Sequence, residues 1–175
     1  MAEKEASGLT HFDDAGRARM VDVGSKPETE RRATASARVR MNEAAFAAVA
    51  GRRTKKGDPC AVAELAGVMG AKRTADLVPL CHPLPLTHVA VGAEPDEQTL
   101  SVLITASVRT SGRTGVEMEA MTGAMVAALT LYDMLKAVDK GIVVERVQLE
   151  RKSGGSSGDF NRAEQESHGG VDQRR

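Results

Sequence analysis

The chain has no Trp, one Tyr and three Phe among its 175 residues. Proteins that hold single-stranded nucleic acid stack its bases on aromatic side chains, so that class has little to work with here. Net charge is absent as well: 24 basic side chains balance 24 acidic ones. No overall field therefore draws the chain toward a polyanionic polymer or an anionic membrane surface. The two cysteines, Cys60 and Cys81, do not form a CxxC pair, and read as reduced thiols of a cytoplasmic protein. No N-terminal apolar run reads as a signal peptide, and no stretch approaches the roughly 18 apolar residues of a membrane span. Neither nucleic acid nor a membrane is an expected partner.

What is present is a set of small and medium apolar residues, mostly Ala, Val, Leu and Met. Residues 1–8 are polar and read as a flexible N-terminus. Residues 161–175, rich in charge, Gly and Gln, read as a disordered tail. Residues 9–160 between them read as one domain. Ala33, Ala35, Ala37, Val39 and Met41 alternate with polar residues, the period of a half-buried strand. Asn42 caps a short helix that Gly51 ends. Asp58-Pro59 opens a second helix, running to Ala71, with a cap followed by Pro at the first position. The proline-punctuated stretch from Val78 to Pro85 cannot be a regular helix. Thr87–Ala93 and Thr99–Thr110 read as a hairpin around residues 94–97, and residues 117–140 as a long helix. Ile142–Leu149 is a last strand, followed by a Gly/Ser loop over residues 152–159. The order β, α, α, β, β, α, β predicts an α+β layer with a mainly antiparallel sheet, the ferredoxin-like βαββαβ arrangement with one additional helix. The long helix is apolar around most of its circumference, which predicts burial against another subunit.

Five basic residues, Lys56, Lys72, Arg73, Arg113 and Lys152, sit in loops or at helix ends beside small residues. Any one could be a solvated surface charge. Together they point to a polyanionic ligand such as a triphosphate. Leu80-Cys81-His82-Pro83-Leu84 holds His82 on a rigid, non-helical segment, where it can bond a substrate, relay a proton or simply pack. Cys81 and His82 are adjacent, without a second pair at ligand spacing, so no metal site is expected. Asp133 and Lys136 lie three apart on the long helix, hence on one face. They are either a surface ion pair or, if buried, an acid–base pair. Glu117 and Glu119 near the start of that helix suit its dipole.

Taken in order along the chain, Leu9-Thr10-His11-Phe12, Met20-Val21-Asp22-Val23, Lys56-Gly57-Asp58, Ala71-Lys72-Arg73-Thr74, Leu80-Cys81-His82-Pro83-Leu84, residues 114–120, residues 132–138 and Lys152-Ser153-Gly154-Gly155 resemble cyclic pyranopterin monophosphate synthase, the molybdenum cofactor biosynthesis C protein family. The resemblance implies a lyase that converts 3′,8-cyclo-7,8-dihydroguanosine 5′-triphosphate into cyclic pyranopterin monophosphate and pyrophosphate. It implies a ferredoxin-like homohexamer, a trimer of dimers with the active site at the dimer interface. Asp133 and Lys136 match the family's catalytic pair. Leu80, Cys81, His82, Met118 and Glu119 match its substrate-binding segments, and Lys56 and Lys152 match lysines of its pocket. No cofactor is expected beyond Mg²⁺ that could accompany the triphosphate. Where the family often has a second Lys in the Gly-rich loop, this chain has Ser156. A non-catalytic nucleotide-binding oligomer is the alternative, and would not need Asp133 together with Lys136.

Overall fold

A computed structural model describes residues 16–52, 54–156 and 158–168. The segments read from sequence as a loose N-terminus (1–8), the Leu9–Phe12 stretch and the last seven residues lie outside them. The elements in chain order are β1 (Thr29–Arg40), α1 (Glu43–Ala50), α2 (Pro59–Ala71), α3 (Thr74–Leu77), β2 (Leu86–Asp96), β3 (Ser101–Gly112), α4 (Glu117–Leu135), β4 (Val143–Ser153), β5 (Phe160–Asn161) and α5 (Arg162–His168). The strands form one antiparallel sheet in the order β2-β3-β1-β4-β5. The first four give the split layer predicted from the element order, with α1, α2 and the short α3 in the first crossover.

The alternation in β1 decides which face is covered. Ala33, Ala35, Ala37 and Val39 are buried, and stand opposite Val108, Ala106, Ile104 and Val102 of β3, also buried. Onto this face α4 lays Ala120, Ala124, Ala127, Ala128, Leu131 and Leu135, all fully buried. Small side chains bring helix and sheet close together. They also bring α2 against α4: a Cβ at Gly67 would stand 2.9 Å from the Gly123 carbonyl oxygen, and one at Gly70 2.7 Å from the Val126 side chain. A core that fills space by close approach needs few aromatics, which accounts for the composition. The other face of β1 is polar; Thr34 and Ser107 share a hydroxyl hydrogen bond of 3.0 Å, and the Ser36 hydroxyl donates to Glu150.

Several boundaries differ from the sequence reading. The long helix ends at Leu135 instead of residue 140. The amides of Val138 and Asp139 both turn back to the Leu135 carbonyl. The Asp139 carboxylate then accepts from the amides of Asn42 (2.8 Å) and Gly141 (2.7 Å), which turns the chain toward β4. The last long strand runs to Ser153, so Lys152 is a strand residue paired with Ala33 and not the start of a loop. The hairpin turn falls at residues 97–100. Within the stretch read as a tail, the structure has Asn161 in β5 and Arg162–His168 in α5: Phe160 and Asn161 pair with Lys152 and Arg151, and Arg162 Nε donates to the Leu149 carbonyl at 2.8 Å.

Candidate active site

The predicted site residues fall into two groups at opposite ends of α4. At its C-terminal end, Thr54 and Gly57 exchange backbone hydrogen bonds, and the Thr54 hydroxyl accepts from the Lys56 amide. This tight turn lifts Lys56 toward the helix. Its Nζ stands 2.9 Å from Asp133 Oδ2, while Lys136 Nζ stands 2.7 Å from Oδ1. One carboxylate therefore bridges two ammonium groups. All three side chains are about half exposed (52–55%). The burial considered from sequence as the source of a pKa shift is not found in the single chain; ion pairing supplies the shift. Lys136 first, and Lys56 after it, hold the Asp133 carboxyl down to about 2. Asp133 in return raises the Lys136 ammonium.

At the N-terminal end of α4 lies a cavity of about 590 Å³. Leu80, Cys81 and His82 form one wall, Glu117, Met118 and Glu119 another, and Val21, Val23 and Lys26 a third. The proline-rich segment is bent by the Cys81 amide donating to the Val78 carbonyl at 3.0 Å. Glu119 is only 4% exposed. Burial pushes its carboxyl up to about 7; a backbone hydrogen bond opposes the rise and the charge of Glu117 adds to it. Burial, and after it Glu119, raise the Cys81 thiol. An acid poised near neutrality in a lined cavity is equipped to exchange a proton with a ligand.

The remaining cations surround this cavity. Lys152 Nζ is 3.4 Å from Glu117 Oε1. Lys72 and Arg73 line a smaller recess of about 120 Å³ that shares His82 and Glu119. Arg113 donates to the Gly24 carbonyl at 2.7 Å and its Nε stands 3.6 Å from Glu28, so it secures the segment that carries Lys26. Lys26 escaped the sequence reading although it has the same small-residue setting (Gly24-Ser25-Lys26-Pro27). Arg31 escaped it as well, standing at a strand position with no motif around it. Among the described residues, no three or more His, Cys, Asp and Glu side chains gather as a metal would require. Nor is any helix among them long and apolar enough to cross a membrane.

The two groups do not meet within one chain. Glu119 and Asp133 are on the same unbroken helix, and fourteen residues of it separate their backbones by about 21 Å.

The MoaC family model matches residues 20–155. The chain belongs to the MoaC family. The family's span takes in every predicted site residue from Lys56 to Lys152, and stops before β5 and α5. A cyclic pyranopterin monophosphate synthase of Dinoroseobacter shibae is 58% identical over 154 residues, covering 88% of this chain and 98% of that protein. Proteins of the same name from Roseiflexus sp. (56% identical; 88% of this chain, 98% of that protein) and Thermomicrobium roseum (55%; 91% and 96%) are similar over nearly their whole lengths.

Proposed function

We propose that the chain catalyses the reaction after which these relatives are named: conversion of 3′,8-cyclo-7,8-dihydroguanosine 5′-triphosphate into cyclic pyranopterin monophosphate with release of pyrophosphate, a step of molybdenum cofactor biosynthesis in the phosphorus–oxygen lyase class. The observation that carries this reading is the Asp133 carboxylate held between Lys56 and Lys136, the pair 133/136 matching the family's catalytic residues.

The reaction needs proton transfers that open and rebuild the ring, attack of a sugar hydroxyl on the α-phosphate, and departure of pyrophosphate. Lys136, whose charged form Asp133 favours, enters as the general acid toward the ring. Asp133, with its carboxyl held low, is a poor base while paired with two ammonium groups. It keeps Lys136 protonated and aimed, and becomes available to a proton only when substrate displaces a lysine. Glu119, His82 and the Leu80–His82 backbone position the base and sugar, with Cys81, Met118 and Glu117 completing the wall. Lys56, Lys72, Arg73, Arg113 and Lys152 take the triphosphate and stabilise the leaving pyrophosphate. Mg²⁺, where present, travels on the substrate's phosphates; no other cofactor is required.

The site is completed by a second copy. Leu65 and Met69 of α2 and Met125 and Leu129 of α4 are 53–65% exposed, which favours a partner that covers them. Two chains packed across a two-fold bring Glu119 of one toward Asp133 and Lys136 of the other, and three such dimers make a cytoplasmic homohexamer. Incubation of the pure protein with the cyclic dihydro-GTP intermediate tests the reading. Stoichiometric pyrophosphate and cyclic pyranopterin monophosphate are expected. Binding of the intermediate and its recovery unchanged would assign the chain to nucleotide binding without catalysis.

A further inference from the structure

Arg31 is the third residue of β1 and is 7% exposed, yet its partners are three backbone carbonyl oxygens: Gly154 (Nη1, 3.0 Å), Gly112 (Nε, 3.4 Å) and Arg113 (Nη2, 3.4 Å). Burying a guanidinium is costly unless its donors are satisfied. Here three of its N–H donors are taken by carbonyls of two segments that flank Arg113 and Lys152. Gly112 ends β3, and the loop after it holds Arg113 and Gly115 and leads into Glu117. The loop after β4 follows Lys152 and holds Gly154 and Gly155. Carbonyls neutralise none of the guanidinium's charge, so Arg31 adds a buried positive charge beneath both loops.

The Gly-rich loop is shaped around this side chain. Gly154 and Gly155 have φ of +92° and +83°, a region that other residues adopt only with strain. A Cβ at Gly155 would fall on the Arg31 guanidinium, and one at Gly154 on the Glu30 carbonyl oxygen. The loop therefore needs glycine at 154 because the Glu30 carbonyl lies against it, and at 155 because Arg31 does. A phosphate-binding loop with two consecutive glycines is usually read as allowing a ligand to approach the backbone; in this chain one of the glycines makes room for an arginine from below.

We propose that Arg31 is a positioning residue for the polyphosphate end of the site: it locks the Gly112–Gly115 and Lys152–Gly155 segments in register so that Arg113 and Lys152 face a common anion. Lys152 is 3.4 Å from Glu117, and that relation across the two loops is the one the clamp sets. The inference deepens the proposed function and rests on it for the identity of the anion. The clamp itself can be tested without the reaction, using inorganic triphosphate as the probe.

The experiment compares the wild type with Arg31→Lys, Gly155→Ala and the double variant. Lys keeps the charge but cannot reach three diverging carbonyls. Gly155→Ala keeps the arginine but forces its guanidinium out of its seat. Each single variant is expected to keep its fold and oligomeric state but to melt below wild type, because Gly155→Ala strains a positive-φ position and Arg31→Lys leaves buried carbonyls unpaired. Each is expected to weaken binding of inorganic triphosphate about tenfold by calorimetry and to raise KM for the cyclic dihydro-GTP substrate by a similar factor, with kcat within about threefold. The double variant should lose no more than the worse single one, because both act through the same clamp. Unchanged triphosphate binding and KM in folded Arg31→Lys and Gly155→Ala would overturn the proposal, as would losses that simply multiply in the double variant. If Arg31→Lys does not fold, Gly155→Ala decides the matter alone, by the same binding and KM readouts. Wild-type protein that binds triphosphate but releases no pyrophosphate from the substrate would count against the proposed reaction and leave the clamp standing.

Discussion

Lys56 Nζ lies 2.9 Å from Asp133 Oδ2, although 77 residues separate the two in sequence. The same carboxylate takes Lys136 on its other oxygen at 2.7 Å. Lys136 first, and Lys56 after it, hold the Asp133 carboxyl below its ordinary range, and a substrate meets the cluster as two cations and one anion, open to solvent. An exposed pair of this kind adds little to stability, so its arrangement is better accounted for by chemistry than by folding.

Removing that arrangement should stop the reaction without unfolding the protein. Asp133→Asn and Lys136→Ala are each expected to lower kcat by about a hundredfold or more, the usual worth of a placed general acid or the group that holds it, with the thermal midpoint nearly unchanged. In Asp133→Asn the ammonium of Lys136 loses its first support, so residual activity should decline at lower pH than in the wild type as Lys136 deprotonates. Pyrophosphate release against pH measures both effects. Near-normal turnover in the two variants would remove the pair from the mechanism.

How much of this was legible in the sequence depended on the range of the interaction. The i, i+3 spacing of Asp133 and Lys136 is a local fact and predicted their pairing; the third member, Lys56, is joined through the fold. The alternation from Ala33 to Val39 and the cap Asp58-Pro59 predicted a strand and a helix start that the structure has, because both rest on neighbouring residues. The end of α4 was misjudged because Ala137 and Val138 continue the apolar pattern. The Asp139 carboxylate, bonded to the amides of Asn42 and Gly141, competes with further helix, and its Asn42 partner is about a hundred residues away. Arg31 stands on the inward register of β1, two residues before Ala33, but the carbonyls that receive its guanidinium come from segments about 80 and 120 residues away.

The crossing of α2 and α4 should be intolerant of one carbon atom. A Cβ at Gly67 would press on the Gly123 carbonyl oxygen at 2.9 Å, the Val91 side chain at 3.0 Å and Ala127 at 3.1 Å. The contact at 2.9 Å is to backbone, which cannot swing aside. Gly67→Ala is expected to cost about 1–3 kcal/mol through overpacking, lowering the midpoint by roughly 2–4 °C for each kcal/mol in a chain of this size. Gly92→Ala is the control, since a Cβ there meets nothing within 4 Å. Equal melting temperatures for the two variants would contradict the packing argument.

Glu119 should make the protein less stable as pH rises through neutrality. Burial raises its carboxyl to about 7 from the ordinary 4.5. Between those values the folded chain keeps a proton that the unfolded chain has released. Stability therefore falls as pH rises across this window, and levels off above the folded value. Glu119→Gln, which cannot ionise, should lose that slope, so the wild type falls relative to the variant between about pH 5 and pH 8. The same variant should lack the limb near neutrality in the profile of kcat/KM against pH. Parallel stability curves for the two proteins across this range would show that Glu119 titrates normally.

The widest separation in the site yields the last prediction. Glu119 and Asp133 share one unbroken helix, about 21 Å apart along its axis. A compact fused-ring ligand cannot touch both in one chain, and a single chain leaves Leu65, Met69, Met125 and Leu129 exposed on the two helices. A two-fold partner resolves both facts by bringing the N-terminal end of one α4 beside the C-terminal end of the other. Glu119→Ala and Asp133→Ala, each inactive alone, should then complement one another. After dissociation and random reassociation in equal amounts, half of the dimers are mixed, and each mixed dimer holds one site with both residues intact. Recovered activity should approach about a quarter of wild type, by counting on the two-fold dimer. A site built from one chain would keep a defect in every subunit, and no activity would return. Subunit exchange must be shown separately, by mass-tagged chains appearing in one assembly. With exchange established, absence of recovery would rule out the shared site.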